Sequence, residues 1–235
     1  MSSNRETHPK TTPVACSTCY PKHRGQKHAK IKGRLLPFLF LSSCLIWGQN
    51  LRWENWESNA ISQLELHLPF ASKISITTSK APQIEVHYRS EGEYRNDYLL
   101  KKQWEENQLI VKEIPTPQRP FHNDKLSAHK VVATQIDLIL PERLSLQLFA
   151  NEAQLFWKGN HPDIRLELTH GKAVIHAEYL QGKIKTSEAD VDVFGLNGKV
   201  KIECNSGRCT NFHTQEKNKT LEISSRQGNI TLFPS

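Results

Sequence analysis

The chain has 235 residues, of which 37% are hydrophobic, and a formal net charge of +7 at pH 7. Residues 1–49 hold eight basic residues and one acidic residue, so they account for the whole excess. The rest of the chain carries 23 basic and 23 acidic residues and is neutral. A neutral body has no field that attracts a phosphate backbone, and we therefore exclude nucleic acid as a partner.

Residues 1–26 are rich in Ser, Thr, Pro, His and Lys, a composition that cannot build a core. This stretch is predicted to be disordered. It contains Cys16 and Cys19, followed by His23 and His28, which together resemble half of a zinc site. No second ligand pair follows in the leader, and we therefore expect no metal there.

A short apolar run at residues 35–47 follows a basic segment at 27–34. A basic region, a short apolar region and a small residue at Gly48 are typical of a secretory signal peptide. Two alternatives remain open. The run could be retained as a membrane anchor, or residues 41–44 (LSSC) could act as a lipobox in which Cys44 is lipidated.

The next part of the chain, residues 50–113, contains short runs of alternating apolar and polar residues, which are typical of half-buried strands. These runs lie at 64–68, 74–76, 84–88 and 109–111. The polar stretch 95–108 is compatible with a short helix or with a hairpin that turns at 105–107. Three prolines and an Asn-Asp pair in residues 114–130 predict a loop between two β parts.

The most regular part of the sequence is 131–235, where turn markers recur about every 10 to 13 residues. The markers are Gly159, Gly171, Gly182, Gly195, Gly207, Asn218 and Gly228. We therefore predict an all-β fold, a β-solenoid or β-helix-like stack of short strands, with a long meander as the alternative. The terminal strands of such a stack need caps, which we expect in residues 50–70 and 233–235.

Several units share a Gly-x-Val/Ile-x-Ile/Leu pattern, as in 198–202 (GKVKI) and 228–232 (GNITL). They follow a Leu-Pro step at 140–141. This order resembles the bacterial putative-adhesin β-strand-repeat proteins, which are catalogued as domains of unknown function. The resemblance covers roughly residues 60–235, but the family's Ser-Gly-Asp turn becomes Ser-Gly-Arg at 206–208. It implies an extracytoplasmic β-repeat module, in the periplasm, outer membrane or cell surface, and carries over no catalytic residue.

Two cysteines, Cys204 and Cys209, remain if the leader is removed near Gly48. They flank the tight-turn sequence Asn-Ser-Gly-Arg. Across such a turn the two residues can approach disulfide distance, and an oxidising envelope compartment would allow the bond. The alternative is that both are small buried residues on successive strands.

A row of carboxylates at Glu188, Asp190 and Asp192 would share one face of a strand, because side chains alternate along a strand. Such a row suits calcium, or acid–base chemistry on a sugar polymer. If the flanking strands are neighbours, their lysines neutralise the row across the sheet and leave only a charge-balanced face. These lysines are Lys183, Lys185, Lys199 and Lys201.

Aromatic residues suggest a second ligand face, a sugar platform formed by Trp157 with Phe149 and Phe156. Because Phe156 and Trp157 are adjacent, one of them should face outward. The alternative is an aromatic cluster covered by a loop.

Catalytic signatures are missing from the sequence: the histidines are scattered, and there is no nucleophile elbow, phosphate-cradling glycine loop or dinucleotide fingerprint. We expect a non-enzymatic protein without a cofactor. The predicted function is an exported cell-envelope module for binding, adhesion or scaffolding, with an envelope protein or glycan as partner. The alternatives are a carbohydrate-active enzyme that uses the carboxylate row, and a regulatory domain tethered to the membrane through residues 35–47.

Overall fold

The computed structural model describes residues 50–58, 60–91, 98–117, 133–210 and 220–233. In these ranges all regular structure is β, which confirms the predicted all-β class, and no helix there is long and apolar enough to cross a bilayer. The strands are β1 (Asn50–Glu57), β2 (Gln63–Leu68), β3 (Ala71–Ser79), β4 (Gln83–Glu91), β5 (Tyr98–Glu105), β6 (Gln108–Pro115), β7 (Ala133–Pro141), β8 (Ser145–Lys158), β9 (His161–His176), β10 (Leu180–Thr186), β11 (Asp190–Phe194), β12 (Lys199–Cys204), β13 (Thr220–Ser225) and β14 (Ile230–Phe233).

All the strands belong to one hydrogen-bonded sheet that divides into two branches at the long strands β8 and β9. The C-terminal halves of β8 and β9 belong to the first branch, with the order β1-β4-β7-β3-β8-β9-β11-β14. Their N-terminal halves belong to the second branch, with the order β5-β6-β2-β8-β9-β10-β13-β12.

The sheet is mixed, and the predicted solenoid of uniformly stacked coils is not what the structure shows. The pairs β1–β4, β4–β7 and β5–β6 are antiparallel, whereas β8 to β14 pair in parallel. The antiparallel strands come from residues before position 142, where the sequence lacks the regular glycine markers. The glycine repeat therefore marked the turns between the C-terminal strands, but it did not distinguish parallel from antiparallel pairing.

Both branches send their inward side chains into one core cluster. Parallel, in-register pairing stacks these residues in rows. One row of the first branch is Ile74, Leu155, Ala173, Val191 and Ile230, and one of the second is Leu66, Leu148, Leu166, Ile184, Ile223 and Ile202. Burial of a Leu or Ile side chain contributes about 1.5–3 kcal/mol to the free energy of folding. The rows are therefore a large source of stability for the sheet.

Glycine is required where neighbouring strands approach closely at a bend. Gly171 has φ +105°, and a Cβ there would collide with the carbonyl oxygen of Ala153. Gly182 has φ +126° and a Cβ would meet the carbonyl oxygen of Ile164. Any larger residue would strain the backbone at both positions and push the paired strand away.

Within the polar stretch 95–108, residues 98–108 form a hairpin and not a helix. β5 and β6 pair antiparallel from Tyr98–Pro115 to Glu105–Gln108. Glu106, at the turn, has a positive φ of 32°. Of the loop predicted at 114–130, residues 118–130 lie outside the described residues. The strands before and after this loop contribute to the same core.

Candidate functional site

The predicted carboxylate row is divided between a turn and a strand, and each carboxylate has its own partner. Asp192 forms an ion pair with Lys172, with 2.7 Å between Oδ2 and Nζ. The hydrogen bond within this pair raises the pKa of Lys172. Asp190 accepts hydrogen bonds from the backbone N (2.7 Å) and Nδ2 (3.0 Å) of Asn229. Glu188 precedes β11 and lies 3.4 Å from the ring of His170.

The partners of these carboxylates are not the lysines that sequence order suggested. β10 and β12, which carry those lysines, belong to the second branch, whereas β11 belongs to the first. The carboxylates are instead tied to groups on the first branch and its turns. Among the described residues, no group of three or more His, Cys, Asp or Glu side chains is arranged to hold a metal ion.

The predicted aromatic platform has its larger ring inside the protein. Trp157 is only 1% exposed, and its Nε1 donates a hydrogen bond to the Gly159 carbonyl at 2.9 Å. Phe156 is the outward-facing neighbour, 41% exposed, with the Lys73 Nζ 5.6 Å from its ring centre. Phe149 stacks on His67 at 4.8 Å between ring centres. Trp157 therefore belongs to the core and offers no ligand face.

Cys204 and Cys209 lie beside each other at the end of β12, with Cα atoms 6.5 Å apart and sulfur atoms within bonding distance. This Cα separation is within the range of disulfides. Cys209 also forms a parallel bridge with Ile230 of β14. A bond between the two cysteines would thus join the last strand of the second branch to that of the first.

The remaining predictions concern the leader and lie outside the described residues. They include the lipidation of Cys44, membrane attachment through residues 35–47, and the half zinc site at Cys16 and Cys19. They stay predictions.

A polar groove that sequence reasoning missed crosses the outer face of the second branch. It consists of two adjoining concavities of about 460 and 170 Å³, which share Lys185, Glu203 and Ser224. The floor is a row of four outward side chains in register on β9, β10, β13 and β12, namely Glu167, Lys185, Ser224 and Glu203. A second row lies two residues further along the chain in each case, within β9 and just after the ends of β10, β13 and β12, namely Thr169, Ser187, Arg226 and Asn205.

Backbone hydrogen bonds between neighbouring segments continue from the strands into the second row. The Arg226 N donates to the Thr186 carbonyl at 3.2 Å, and the Asn205 N donates to the Ser225 carbonyl at 3.1 Å. The Ser187 N donates to the Leu168 carbonyl at 3.2 Å. The groove is therefore built on regular backbone pairing, which fixes the spacing of its side chains.

The carboxylates of the groove are neutralised, but two of its cations are not. Three ion pairs are present: Glu167–Arg165 (3.3 Å), Glu222–Lys183 (3.0 Å) and Glu203–Lys201 (2.7 Å). The hydrogen bond from Lys201 lowers the pKa of Glu203, which keeps that carboxylate ionised. Lys185 and Arg226 form no ion pair with any described residue. The uncompensated charge of the groove is therefore positive.

Burial perturbs three titratable groups outside the groove. Burial raises the pKa of Glu113 to about 7, although the Phe70 N donates to its carboxylate at 2.9 Å. Burial also raises the pKa of Tyr88, whose hydroxyl donates to Glu113 at 3.4 Å. Burial lowers the pKa of His161 to about 4. None of these three residues lines the groove.

The charge of the groove had no signal in the sequence, because Lys185 takes an outward strand position as many ordinary lysines do. Whether a lysine has an ion-pair partner depends on which strands are its neighbours, and the order of the strands is a property of the tertiary structure. The burial of Glu113 did have a signal, since Glu113 continues the inward phase of Leu109 and Val111.

Comparison with known proteins supports the fold. No family model and no curated protein sequence matches the chain. A crystal structure of a putative cell adhesion protein from Clostridium sporogenes ATCC 15579 has a TM-score of 0.56 and 12% identity, over 80% of this chain and 100% of that chain. The resemblance to adhesin-like β-repeat proteins is therefore confirmed for the fold.

Two further solved structures are similar over comparable lengths but with lower scores. A putative adhesin from Bacteroides fragilis NCTC 9343 has a TM-score of 0.33 and 10% identity, over 79% of this chain and 98% of that chain. A putative lipid binding protein from Parabacteroides distasonis ATCC 8503 has a TM-score of 0.24 and 11% identity, over 77% of this chain and 96% of that chain.

Proposed function

We propose that this chain is an exported, non-enzymatic binding module of a bacterial cell envelope, and that the polar groove is its ligand site. The observation that carries the proposal is that Lys185 and Arg226 form no ion pair with any described residue, in a groove whose backbone is fixed by strand pairing. A preformed concave surface with a few fixed polar groups is the usual form of a ligand site. The adhesin-like fold and the signal-like leader support the envelope location.

A binding role fits the chemistry of the surface better than catalysis. Each residue of the carboxylate row is engaged by Lys172, Asn229 or His170, so no pair of carboxylates there is left to act as acid and base. Sugar hydrolysis by the usual route needs two carboxyl groups that flank the scissile bond. The polar groove has its carboxylates in ion pairs as well.

The test is retention of envelope material from the source bacterium by the immobilised full chain. Ser224→Trp fills the centre of the groove and should abolish retention. The control is Ser75→Trp, which places the same side chain at an equally half-buried outward position on the first branch. Equal retention by both variants would show that the groove is not the site.

The same preparation tests the non-enzymatic claim and the envelope location. Bound polysaccharide should keep its chain length. Shortening that disappears in the Asp190→Asn/Asp192→Asn double variant would support a carbohydrate-active enzyme instead. Fractionation of the source cells should find the protein outside the cytoplasm, either released, lipidated at Cys44 or held by residues 35–47; a cytoplasmic pool with an intact Met1 would contradict export.

A further inference from the structure

The groove has a length and a direction that indicate the shape of its ligand. Its floor row runs from Glu167 on β9 to Glu203 on β12, across four adjacent strands. Neighbouring strands are about 4.8 Å apart, so the row spans roughly 14 Å perpendicular to the strands. The second row, from Thr169 to Asn205, crosses the same strands. An extended polymer that lies across the strands would meet one pair of side chains at each strand.

The charge of the groove indicates that the ligand is anionic. Lys185 lies on β10 in the floor row, and Arg226 directly follows β13 in the second row. β10 and β13 are adjacent, so the two unpaired cations stand on neighbouring strands. Both are exposed, and an arginine guanidinium and a lysine ammonium each form strong hydrogen bonds with a carboxylate.

The other side chains argue against a densely charged polymer such as polyphosphate. Glu167 and Glu203 stand at the two ends of the floor row and already pair with Arg165 and Lys201. Among the described cations of the groove, only Lys185 and Arg226 are therefore left to neutralise a ligand, too few for an anion at every unit. Carboxylates do accept hydrogen bonds from hydroxyl groups. Ser187, Ser224 and Asn205 can donate or accept hydrogen bonds between them. The groove therefore suits a chain that has many hydroxyl groups and widely spaced carboxylates.

We infer that the groove binds an acidic polysaccharide of the uronic-acid class, with carboxylates at Lys185 and Arg226 and hydroxyl groups along the remaining polar side chains. This inference rests on the proposed function, because it names the ligand class of the same groove. No covalent step is involved. Binding is driven by two charge-assisted contacts and a series of neutral hydrogen bonds.

The test is isothermal titration calorimetry of the full chain with polygalacturonate, at low and at physiological salt. Dextran serves as the neutral polymer and polyphosphate as the dense anion. We expect polygalacturonate to bind, with an affinity that falls as salt rises, and dextran and polyphosphate to bind at least tenfold more weakly. Comparable binding of polyphosphate or dextran would overturn the ligand class.

Substitutions that remove the charge of Lys185 or Arg226 test whether the polymer binds in the groove. Lys185→Gln and Arg226→Gln should each weaken polygalacturonate binding about tenfold or more, since each removes a charge-assisted hydrogen bond to a ligand carboxylate. The matched control is Lys112→Gln, an exposed strand lysine on β6 at the other end of the same branch, which should bind like the wild type. Equal loss in all three variants, or none in any, would overturn the inference.

Failure of this inference is distinguishable from failure of the proposed function. If the wild type retains envelope material, and Ser224→Trp abolishes that retention, but polygalacturonate does not bind, only the ligand class is wrong. If Ser224→Trp and Ser75→Trp behave alike in the retention test, the groove itself is the wrong site.

Discussion

The two ends of the sheet are closed by different means. At the N-terminal end, antiparallel strands β1 and β5 terminate the two branches, and the buried Trp56 lies between them. Lys102 of β5 forms an ion pair with Glu54 of β1 and lies 5.4 Å from the Trp56 ring centre. At the C-terminal end, β12 is parallel to its neighbour, and its inward residues Val200 and Ile202 are only partly buried.

Among the described residues of β11 to β14, no aromatic side chain is buried as Trp56 is. At this end the branches are joined by the segment after β12, in which Cys209 bridges to β14 and the Ile230 N donates to the Arg208 carbonyl at 2.9 Å, and by the proximity of Cys204 to Cys209. The N-terminal end is thus stabilised by the burial of a large aromatic side chain, whereas at the C-terminal end, which carries the polar groove, a disulfide between Cys204 and Cys209 would add a covalent link. Each end should therefore respond to a different perturbation.

The largest expected effect comes from removal of the N-terminal tryptophan. Trp56→Ala should lower the free energy of unfolding by about 3–5 kcal/mol, since the ring is 5% exposed and its loss leaves a cavity. Chemical denaturation of the full chain measures the effect. The control is Trp53→Ala on the same strand, 65% exposed, which should change stability by less than about 0.5 kcal/mol. Similar effects of the two substitutions would show that Trp56 does not close this end.

The next effect is a pH dependence that belongs to the N-terminal half. The pKa of Glu113 is raised from 4.5 to about 7, so the folded protein holds this proton more tightly than the unfolded chain does. The contribution of Glu113 is therefore fully present below pH 4.5 and is lost as pH rises through 7, by about 3 kcal/mol in all.

Glu113→Gln measures this contribution. Between pH 4.5 and 8 the unfolding free energy of the variant should rise relative to that of the wild type, because Gln cannot ionise. The opposite dependence of His161, whose lowered pKa adds stability as pH rises from 4 to 6.5, is common to both proteins and cancels in this difference. A control with Glu65→Gln, at a half-buried outward position of β2, should follow the wild type at every pH. A difference between Glu113→Gln and the wild type that does not change with pH would contradict the role of Glu113.

A smaller effect is expected at the C-terminal end. Reduction of the Cys204–Cys209 bond, or the Cys204→Ser/Cys209→Ser double substitution, should lower the free energy of unfolding by about 2 kcal/mol, because the closed loop is short. Backbone hydrogen exchange should accelerate in β12 and β13 and stay unchanged in β1 and β5. Free thiols in protein purified from the envelope under non-reducing conditions would contradict the bond.

The strands themselves could be predicted from the sequence, because alternation encodes which face of a strand is buried. Ile74, Ile76, Val191 and Val193 are buried where the pattern places them inward. The pattern could not decide which of Phe156 and Trp157 faces outward, since that depends on the register of β8 against β3 and β9. The glycine repeat likewise marked the turns between strands but not the direction of pairing, since a parallel stack and an antiparallel meander both fit it.

The candidate site was less accessible to sequence reasoning. The carboxylate row was recognised, but its partners were not, because consecutive strands β10 and β11 belong to different branches. The groove depends on the same fact, since its four strands are β9, β10, β13 and β12, and β11 is absent from the series. Only the three-dimensional strand order shows that Lys185 and Arg226 stand on neighbouring strands and form no ion pair within the part of the chain that the structure describes.

The most direct test of the account is hydrogen exchange of the full chain, measured by mass spectrometry with and without polygalacturonate. Ligand in the groove should slow exchange in residues 182–187, 199–208 and 220–228, and leave β1 and β5 at their free rates. Protection confined to β1, β5 or the first branch would contradict the groove as the binding site.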